Sequence, residues 1–197
     1  MGIDLGTDLK LMDNLLVHAA LWRLDLDHEF VYVGDEGIVE PSGRTRRVGV
    51  DLSVRYQLSR WLFFDGDVNY ARPRSKDEPE GENYIPLAPA FTSIGGITFK
   101  SKNGISGSLR YQYMDHRPAD EDNSVVAEGY FLGDGAITYS RPKYEVGCSV
   151  QNLFNSNWKE AQFDTTSRLR NETERVSEIH FTPGTPFFIK VQATFFF

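Results

Sequence analysis

The feature that most constrains this chain is an alternation of side-chain character with a period of two residues. It is clearest between Arg46 and Leu58, where every second residue is apolar and the residues between them are mostly polar or glycine. The apolar positions are Val48, Val50, Leu52, Val54, Tyr56 and Leu58. Successive side chains of a β-strand point to opposite faces, so this pattern predicts a strand with one apolar and one polar face.

The same alternation recurs along most of the chain. Further segments that carry it lie at residues 62–70, 105–113, 144–150 and 187–197. No segment competes with it by showing the 3.6-residue apolar stripe of an amphipathic helix. The sequence therefore predicts an all-β fold built from long antiparallel strands.

Three observations favour a transmembrane β-barrel over a soluble β-sandwich, which alternation alone would also fit. First, the predicted polar faces carry charges that would be costly in a dry sandwich core. Second, the strands are about 10 to 15 residues long, close to the length that crosses a bilayer. Third, aromatic residues gather at the strand ends, as in the interfacial girdles of outer-membrane barrels. The charged positions are Asp51, Arg55, Asp65, Asp67, Arg110, Glu145 and Lys190.

The connections between the predicted strands alternate in length. Short ones lie near residues 12–14, 59–60, 101–103 and 141–143, and long polar ones near 35–43, 75–84, 115–128 and 164–186. Outer-membrane barrels have short periplasmic turns and long extracellular loops, so this parity predicts about nine meandering strands that end in the periplasm. The first strand, at residues 3–11, has the weakest pattern. Without it eight strands would remain, and a small closed barrel would become possible.

Composition argues against several other classes of protein. The net charge is −7 and the basic residues are scattered, whereas a nucleic-acid surface needs a clustered basic patch. The single cysteine, Cys148, permits neither an internal disulfide nor a cysteine zinc cluster. The four histidines share no ligand spacing, and no serine lies in a nucleophile-elbow motif. We therefore expect no enzymatic activity, no cofactor and no nucleic-acid partner.

Short motifs near the C-terminus give the chain a family resemblance. Residues 150–155 read VQNLFN and are followed by Trp158, residues 181–186 read FTPGTP, and residues 85–89 read IPLAP. In this order and spacing they resemble the C-terminal part of the β-barrel of TonB-dependent receptors. The terminal alternation is similar to the signal that the outer-membrane assembly machinery recognises. The residues that carry the motifs and this signal are Asn152, Leu153, Phe154, Asn155, Pro183, Gly184, Pro186, Phe195 and Phe197.

The resemblance implies a bacterial outer-membrane location and a parent protein that imports a scarce nutrient, such as siderophore-bound iron or cobalamin, with TonB coupling. The family's complete barrel has about 22 strands around a plug. Residues 1–197 are therefore expected to be the C-terminal portion of a barrel, without plug or leader sequence, and inactive in transport alone. The implied partners are the lipid bilayer, the assembly machinery, the TonB complex through the plug, and an unidentified small molecule. A small autonomous barrel with a structural, adhesive or passive pore role is the alternative.

The candidate ligand contacts lie in the long loops, because loops carry function on rigid barrels. Asp120, Glu121 and Asp122 offer oxygens to a cationic ligand or Ca²⁺, although their spacing does not match an EF-hand. Arg168 and Arg170 are the basic candidates in the last loop. The sequence assigns no metal ligand.

Overall fold

The computed structural model describes residues 1–33 and 38–197, with side chains for residues 1–30 and 43–197. In these residues the regular secondary structure consists of antiparallel strands, as the alternation predicted. In chain order the strands are β1 (Gly2–Met12), β2 (Leu15–Leu26), β3 (Glu29–Val33), β4 (Ile38–Ser42), β5 (Thr45–Gln57), β6 (Leu62–Ser75), β7 (Phe91–Lys100), β8 (Ile105–Met114), β9 (Arg117–Pro118), β10 (Val126–Ala127), β11 (Tyr130–Arg141), β12 (Tyr144–Gln151), β13 (Lys159–Ser167), β14 (Val176–Pro183) and β15 (Phe188–Phe195).

Nine of these strands form one sheet in the order β1-β2-β5-β6-β7-β8-β11-β12-β15. Strands that are adjacent in the sheet also follow one another in the chain, except where a two-stranded hairpin outside the sheet lies between them. These hairpins, here called the excursions, are β3–β4, β9–β10 and β13–β14. The short turns all lie at one end of the sheet, here called the turn end, and the excursions lie at the other, here called the loop end. The predicted number of about nine long strands is thus confirmed. Strands β1 and β15 are the two edges and do not pair with each other.

The weakest predicted segment is a full strand of this sheet. Strand β1 pairs with β2 from Gly2 opposite Leu24 to Met12 opposite Leu15. The eight-stranded alternative, which required that this segment be something other than a strand, therefore does not apply to the described sheet.

Two of the predicted loops differ from the structure. The long loop predicted near residues 164–186 implied that a sheet strand extends to Phe163, but β12 ends at Gln151, and Phe163 belongs to the separate β13–β14 hairpin. The loop predicted at residues 35–43 contains β4, which pairs with β3. Residues 34–37 of that loop lie outside the described residues. In both cases residues of a long polar connection pair with each other as a hairpin, so these strands form their backbone hydrogen bonds outside the main sheet.

The sheet register sorts side chains into rows that run across the strands. Directly opposed residues of an antiparallel pair share a face. One row on the apolar face contains Leu5, Leu21, Val50, Tyr70 and Phe91. These side chains pack into no enclosed core: Leu21 is 58% exposed and Tyr70 is 52% exposed. The sheet therefore presents a broad, uncovered apolar face.

Buried apolar side chains are small or belong to the loop end. Those below one-tenth exposure in the described residues are Ala20, Ala71, Ile85, Ala88, Ala119, Ala127 and Leu132. The segments 76–90 and 115–129 contact each other through backbone hydrogen bonds from Tyr84 to Glu121 and from Leu87 to Pro118. The loop end thus has a small packed core of its own. Among the described residues, no helix has the length and apolar character needed to cross a membrane.

Glycine 96 allows a charged pair to form across an intervening strand. It lies on β7 between Asp65 of β6 and Arg110 of β8, and Arg110 donates a hydrogen bond to Asp65 across it. A Cβ atom at this position would lie 2.2 Å from the Leu109 carbonyl oxygen and 3.0 Å from Cδ of Arg110. The absence of a side chain at residue 96 is therefore what brings the two charges together.

We expect Gly96→Ala to lower the free energy of unfolding by about 1–3 kcal/mol, because the added methyl group must displace backbone and Arg110. Gly135→Ala is the matched control, since a Cβ there meets its nearest atom at 3.9 Å. Urea unfolding in detergent micelles, followed by circular dichroism, measures both variants. Equal midpoints for the two variants would contradict the close approach at Gly96.

Candidate functional site: the polar face and the loop end

The polar face carries ion pairs that link neighbouring strands. Arg55 of β5 donates from Nη2 to both carboxylate oxygens of Asp67 on β6, at 2.9 and 3.0 Å. Ser53 adds a hydrogen bond to the same carboxylate at 2.5 Å. Arg110 of β8 binds Asp65, the other acidic residue of β6. Strand β6 thus provides two carboxylates, and each accepts hydrogen bonds from a different arginine.

The polar row continues to the β1 edge. His18 of β2 lies opposite Asp8 of β1, with 2.8 Å between Nδ1 and Oδ1. His18 also lies opposite Ser53, and Asn69 donates to Asp51 one row nearer the loop end. Arg55, Asp67, Arg110 and Asp65 keep between 25% and 50% of their side-chain surface exposed. This face is therefore a hydrated, charged wall, suited to line an aqueous path and unsuited to pack against lipid.

At the loop end, ion pairs attach the segment 76–90 to the sheet. Asp77 accepts from the Arg44 backbone N–H at 2.7 Å and from its Nε at 2.9 Å. The hydrogen bonds from the Arg44 guanidinium lower the pKa of Asp77 below its usual value. Arg74 lies over the Tyr84 ring, 4.1 Å from its centroid. The segment is thus held by a charge pair at its start and a cation–π contact near its middle.

The predicted acidic contacts lie in the turn between β9 and β10 and serve its local structure. Asp120 accepts from Ser124 Oγ and, at 3.0 Å, from the Val125 N–H, while Asp122 accepts from the Ser124 N–H at 2.9 Å. That N–H lowers the pKa of Asp122. Glu121 contributes its backbone carbonyl to the Tyr84 N–H. Asp120 Oδ2 and Asp122 Oδ1 therefore shape the turn, while Asp120 Oδ1 is buried without a hydrogen-bond partner in the described residues.

The predicted basic contacts lie apart from the acidic ones. Arg168 and Arg170 are exposed at the tip of the β13–β14 hairpin. No ion pair in the described residues joins either arginine to the acidic turn. The structure thus places the two predicted sets on different excursions, and both are open to solvent at the same end of the sheet.

A buried cation at the loop end was missed by the sequence analysis. Arg117 of β9 is only 7% exposed, and Nη1 donates to the Met114 sulfur. No carboxylate pairs with it within the described residues, and burial lowers its pKa. An arginine beside a proline in a charged loop gives no sequence signal of burial. A desolvated guanidinium without a carboxylate is costly, so the site favours the approach of an anion.

The motif at residues 152–155 forms a hydrogen-bonded turn after β12. Asn152 is 3% exposed, and its side chain accepts from the Ser156 N–H at 2.8 Å and donates to the carbonyls of Ser156 and Thr185. Its φ of 49° lies in the left-handed region, which asparagine tolerates better than most residues. Asn155 accepts from the Phe187 N–H at 3.1 Å. The two asparagines therefore connect the end of β12 to the segment that leads into β15.

The rest of the motif supports this connection. Trp158 donates to the Thr185 carbonyl at 3.0 Å, and its indole covers Gly184, where a Cβ would lie 2.1 Å from the ring. Phe154 lies over Gly133 on the apolar face and, like Leu153, is exposed. The remaining motif and terminal positions are Pro183 at the end of β14, Pro186 before β15, Phe195 at the end of β15 and Phe197 at the exposed C-terminus. The C-terminal motifs are thus one structural unit around Asn152 and Trp158.

The described residues contain no group of three histidine, cysteine, aspartate or glutamate side chains placed to hold a metal ion. Cys148 lies on the apolar face opposite Ile137 and Val191, away from any histidine.

Comparison with known proteins identifies the fold. The family described as TonB dependent receptor-like, beta-barrel, matches residues 2–153. A ferrioxamine receptor of Yersinia enterocolitica is 27% identical over 99 residues, which are 49% of this chain and 14% of that protein.

Solved receptors share the arrangement of strands. The ferric-catecholate import receptor Fiu of E. coli K12, in its closed form, matches 98% of this chain with a TM-score of 0.71 and 21% identity. The ferric citrate transporter FecA matches 98% of this chain with a TM-score of 0.74 and 15% identity. The ferric yersiniabactin uptake receptor FyuA of Yersinia pestis matches 100% of this chain with a TM-score of 0.69 and 16% identity. The chain covers only 27–30% of these three proteins. Their strands form β-barrels, of which the nine-stranded sheet has the architecture of an unclosed part.

We expect Asn152→Ala to cost more than Asn155→Ala. Both residues have a left-handed backbone, so the difference comes from their contacts. The first substitution removes three side-chain hydrogen bonds at a buried position, and the second removes one at an exposed position. About 1 kcal/mol per bond predicts losses of about 3 and about 1 kcal/mol. Urea unfolding measures the difference, and an equal or reversed order would contradict the central role of Asn152.

We also expect an acid-dependent loosening of segment 76–90. The folded-state pKa of Asp77 is lowered, so its pairing with Arg44 stabilises the fold above the unfolded value of 3.8 and is lost as pH falls through the folded value. Asp77→Asn should therefore lower the unfolding midpoint at pH 7, and the deficit should shrink as pH falls below 3.8. Glu80→Gln, which removes an exposed charge of the same segment, is the control. A deficit in Asp77→Asn that is independent of pH would argue against ionic anchoring.

Proposed function

The chain belongs to the family of TonB-dependent receptors, whose β-barrel it matches, and we propose on this premise that it forms part of an outer-membrane barrel that imports a scarce nutrient. The observation that carries the proposal is the division of the sheet into an uncovered apolar face and an ion-paired polar face. Nine strands with this division fit a wall between lipid and a hydrated lumen. The bacterial outer membrane is the location proposed for the parent protein.

The two faces support this orientation in different ways. Leu21, Val50 and Leu52 are between 40% and 58% exposed on the apolar face, an arrangement that is favourable only against lipid or another apolar partner. On the other face the Arg55–Asp67 and Arg110–Asp65 pairs place charges where lipid would be costly. The turn end is then periplasmic and the loop end extracellular.

The proposed cargo is a small molecule that carries a scarce nutrient, with a siderophore–iron complex as the first candidate and cobalamin as another. The four similar proteins reported above are named as receptors or transporters for ferrioxamine, ferric catecholate, ferric citrate and ferric yersiniabactin. In this chain the buried Arg117, with the exposed Arg168 and Arg170, provides positive charge at the loop end. We assign Arg168 and Arg170 to first contact with an anionic ligand, and Asp120, Glu121 and Asp122 to the structure of the β9–β10 turn.

Residues 1–197 are assigned to the C-terminal portion of the barrel. The order of the motifs from Asn152 to Pro186 supports this placement. In the proposed parent protein, other segments supply the remaining strands and a plug, and contact with the TonB complex occurs through that plug. The exposed terminal phenylalanines are the proposed signal for the outer-membrane assembly machinery.

Uptake by the parent receptor tests the import function. The receptor is produced in iron-limited cells that lack other siderophore receptors, and uptake of radioactive iron is measured with a panel of ferric siderophores. We expect uptake with at least one of them. Arg168→Gln combined with Arg170→Gln should raise the half-saturating concentration about tenfold, since exposed charge contacts contribute about 0.7 kcal/mol each.

The matched control removes two positive charges at the opposite end of the sheet. Lys102→Gln with Lys143→Gln alters the short turns, which the proposal places in the periplasm, and should leave uptake unchanged. Uptake that falls equally in both double variants would contradict a contact at the hairpin tip. Failure to import any ferric siderophore, with the 197-residue chain alone forming a compact heat-modifiable monomer, would favour the autonomous barrel.

A further inference from the structure

Five cations lie on the apolar side of the sheet at the loop end. Arg23 of β2 and Arg72 of β6 lie opposite Val48 of β5 on either side, so they share the face of the apolar rows. One row further on, Arg46 lies between Asp25 and Arg74. Lys76 follows, with Nζ 3.6 Å from Asp25. We call Arg23, Arg46, Arg72, Arg74 and Lys76 the cationic belt.

The belt has far more positive than negative charge. Asp25 is the only carboxylate among the described residues that contacts it, and that carboxylate is shared by Arg23 at 2.6 Å, Arg46 at 2.8 Å and Lys76. Arg72 is exposed and has no ion pair in the described part of the chain. Arg74 donates a hydrogen bond to the Pro73 carbonyl and lies over the Tyr84 ring, with no ion pair to a described carboxylate. Five cations and one carboxylate give the belt a charge of +4, on a chain whose net charge is −7.

Two other arginines near the start of β5 each have a carboxylate of their own. Arg44 has Asp77 and Arg47 has Glu29 as its carboxylate. The surplus of the belt is therefore a local property and does not follow from a generally basic loop end.

The row of the belt that contains Arg23 and Arg72 lies at the height of the lipid headgroups. Tyr70, 52% exposed, belongs to the last row of the apolar band, and Arg72 and Arg74 follow it at two-residue steps of about 7 Å each. The polar headgroup layer adds about 5–8 Å to each side of the hydrocarbon core. If Tyr70 lies at the boundary, as interfacial aromatics do, Arg72 reaches the level of the phosphates. Arg74 lies about 14 Å along the strand from Tyr70, on the solvent side of that level.

We propose that the cationic belt binds the headgroup phosphates of anionic membrane lipids around the extracellular end of the barrel. The inference rests on the proposed membrane location, and goes beyond import because it names a lipid partner of the outer surface. The belt spans three strands, about 10 Å across, which suits one or two headgroups side by side. Its continuity with the apolar face allows the acyl chains of the same lipid to lie against Leu21 and Val50. A soluble phosphate would lack that second contact.

Binding is measured with the purified receptor in neutral detergent micelles that contain fluorescent phosphatidylglycerol, with fluorescent phosphatidylcholine as the zwitterionic comparison. We expect preferential retention of phosphatidylglycerol, decreasing with added salt because exposed charges are screened. Arg72→Gln combined with Arg74→Gln should weaken this retention about 25-fold, or about fivefold per cation, from about 1 kcal/mol for each basic residue near an anionic surface.

Two further variants make the test directional. Asp25→Asn removes the only carboxylate of the belt and should strengthen phosphatidylglycerol binding, a result that general damage to the fold would not give. Arg168→Gln with Arg170→Gln removes the same charge from the hairpin tip and should not change lipid retention. Thermal unfolding checks that each variant is folded.

Several results would overturn the proposal. These are equal retention of both lipids, equal weakening by the belt and hairpin-tip variants, weaker binding by Asp25→Asn in a folded protein, or displacement by glycerol phosphate at the same concentration as the lipid. Insertion into vesicles of pure phosphatidylcholine is measured separately. Failure of insertion would count against the membrane location itself, whereas normal insertion without lipid preference would count against the belt alone.

Discussion

The backbone hydrogen-bond ladder between neighbouring strands is the constraint on which the rest of this structure depends. Because side chains alternate with a period of two, a slip of one residue in any pair would exchange the two faces of a strand. The register between β5 and β6 runs without a break from Thr45 opposite Ser75 to Gln57 opposite Phe63. This continuity keeps Val50 beside Tyr70 on one face and Ser53 beside Asp67 on the other. Both the apolar band and the polar wall follow from that single register.

On the polar face, ion pairs between side chains link neighbouring strands. Asp65 and Asp67 lie two residues apart on β6 and would repel each other if left alone. Arg55 pairs with Asp67 from one side, and Arg110 pairs with Asp65 from the other. Gly96 has no side chain in the space that Arg110 crosses. Charge balance on this face therefore involves three strands, β5, β6 and β8, and depends on the small residue that β7 places between two of them. A lumen wall built in this way stays hydrated without presenting an uncompensated charge at this row.

The fold was accessible from the sequence because alternation is a local signal. The alternation at residues 46–58 predicts a strand, its two faces and its approximate ends, and needs no information about the strands with which it pairs. The hairpin β13–β14 was not located, because its alternation is no different from that of a sheet strand and only the turn at Asn152 separates them. Arg117 was missed for a related reason, since its burial depends on the docking of segment 76–90. The acidic residues were found, but their role in capping a turn depends on the backbone positions of Ser124 and Val125.

The edges of the sheet carry the last consequence. Strands β1 and β15 each leave one row of backbone N–H and C=O groups without a strand partner in the described sheet. In water such edges invite association, and in hydrocarbon each unpaired group costs several kcal/mol. The apolar face beside these edges, with Leu5 at 73% and Val191 at 71% exposure, would lie in lipid under the proposed location. The same sheet cannot then be stable in a bilayer unless other strands continue it at both edges. The exposed apolar rows and the open ladder thus lead to one physical requirement, a closed barrel of which these nine strands are a part.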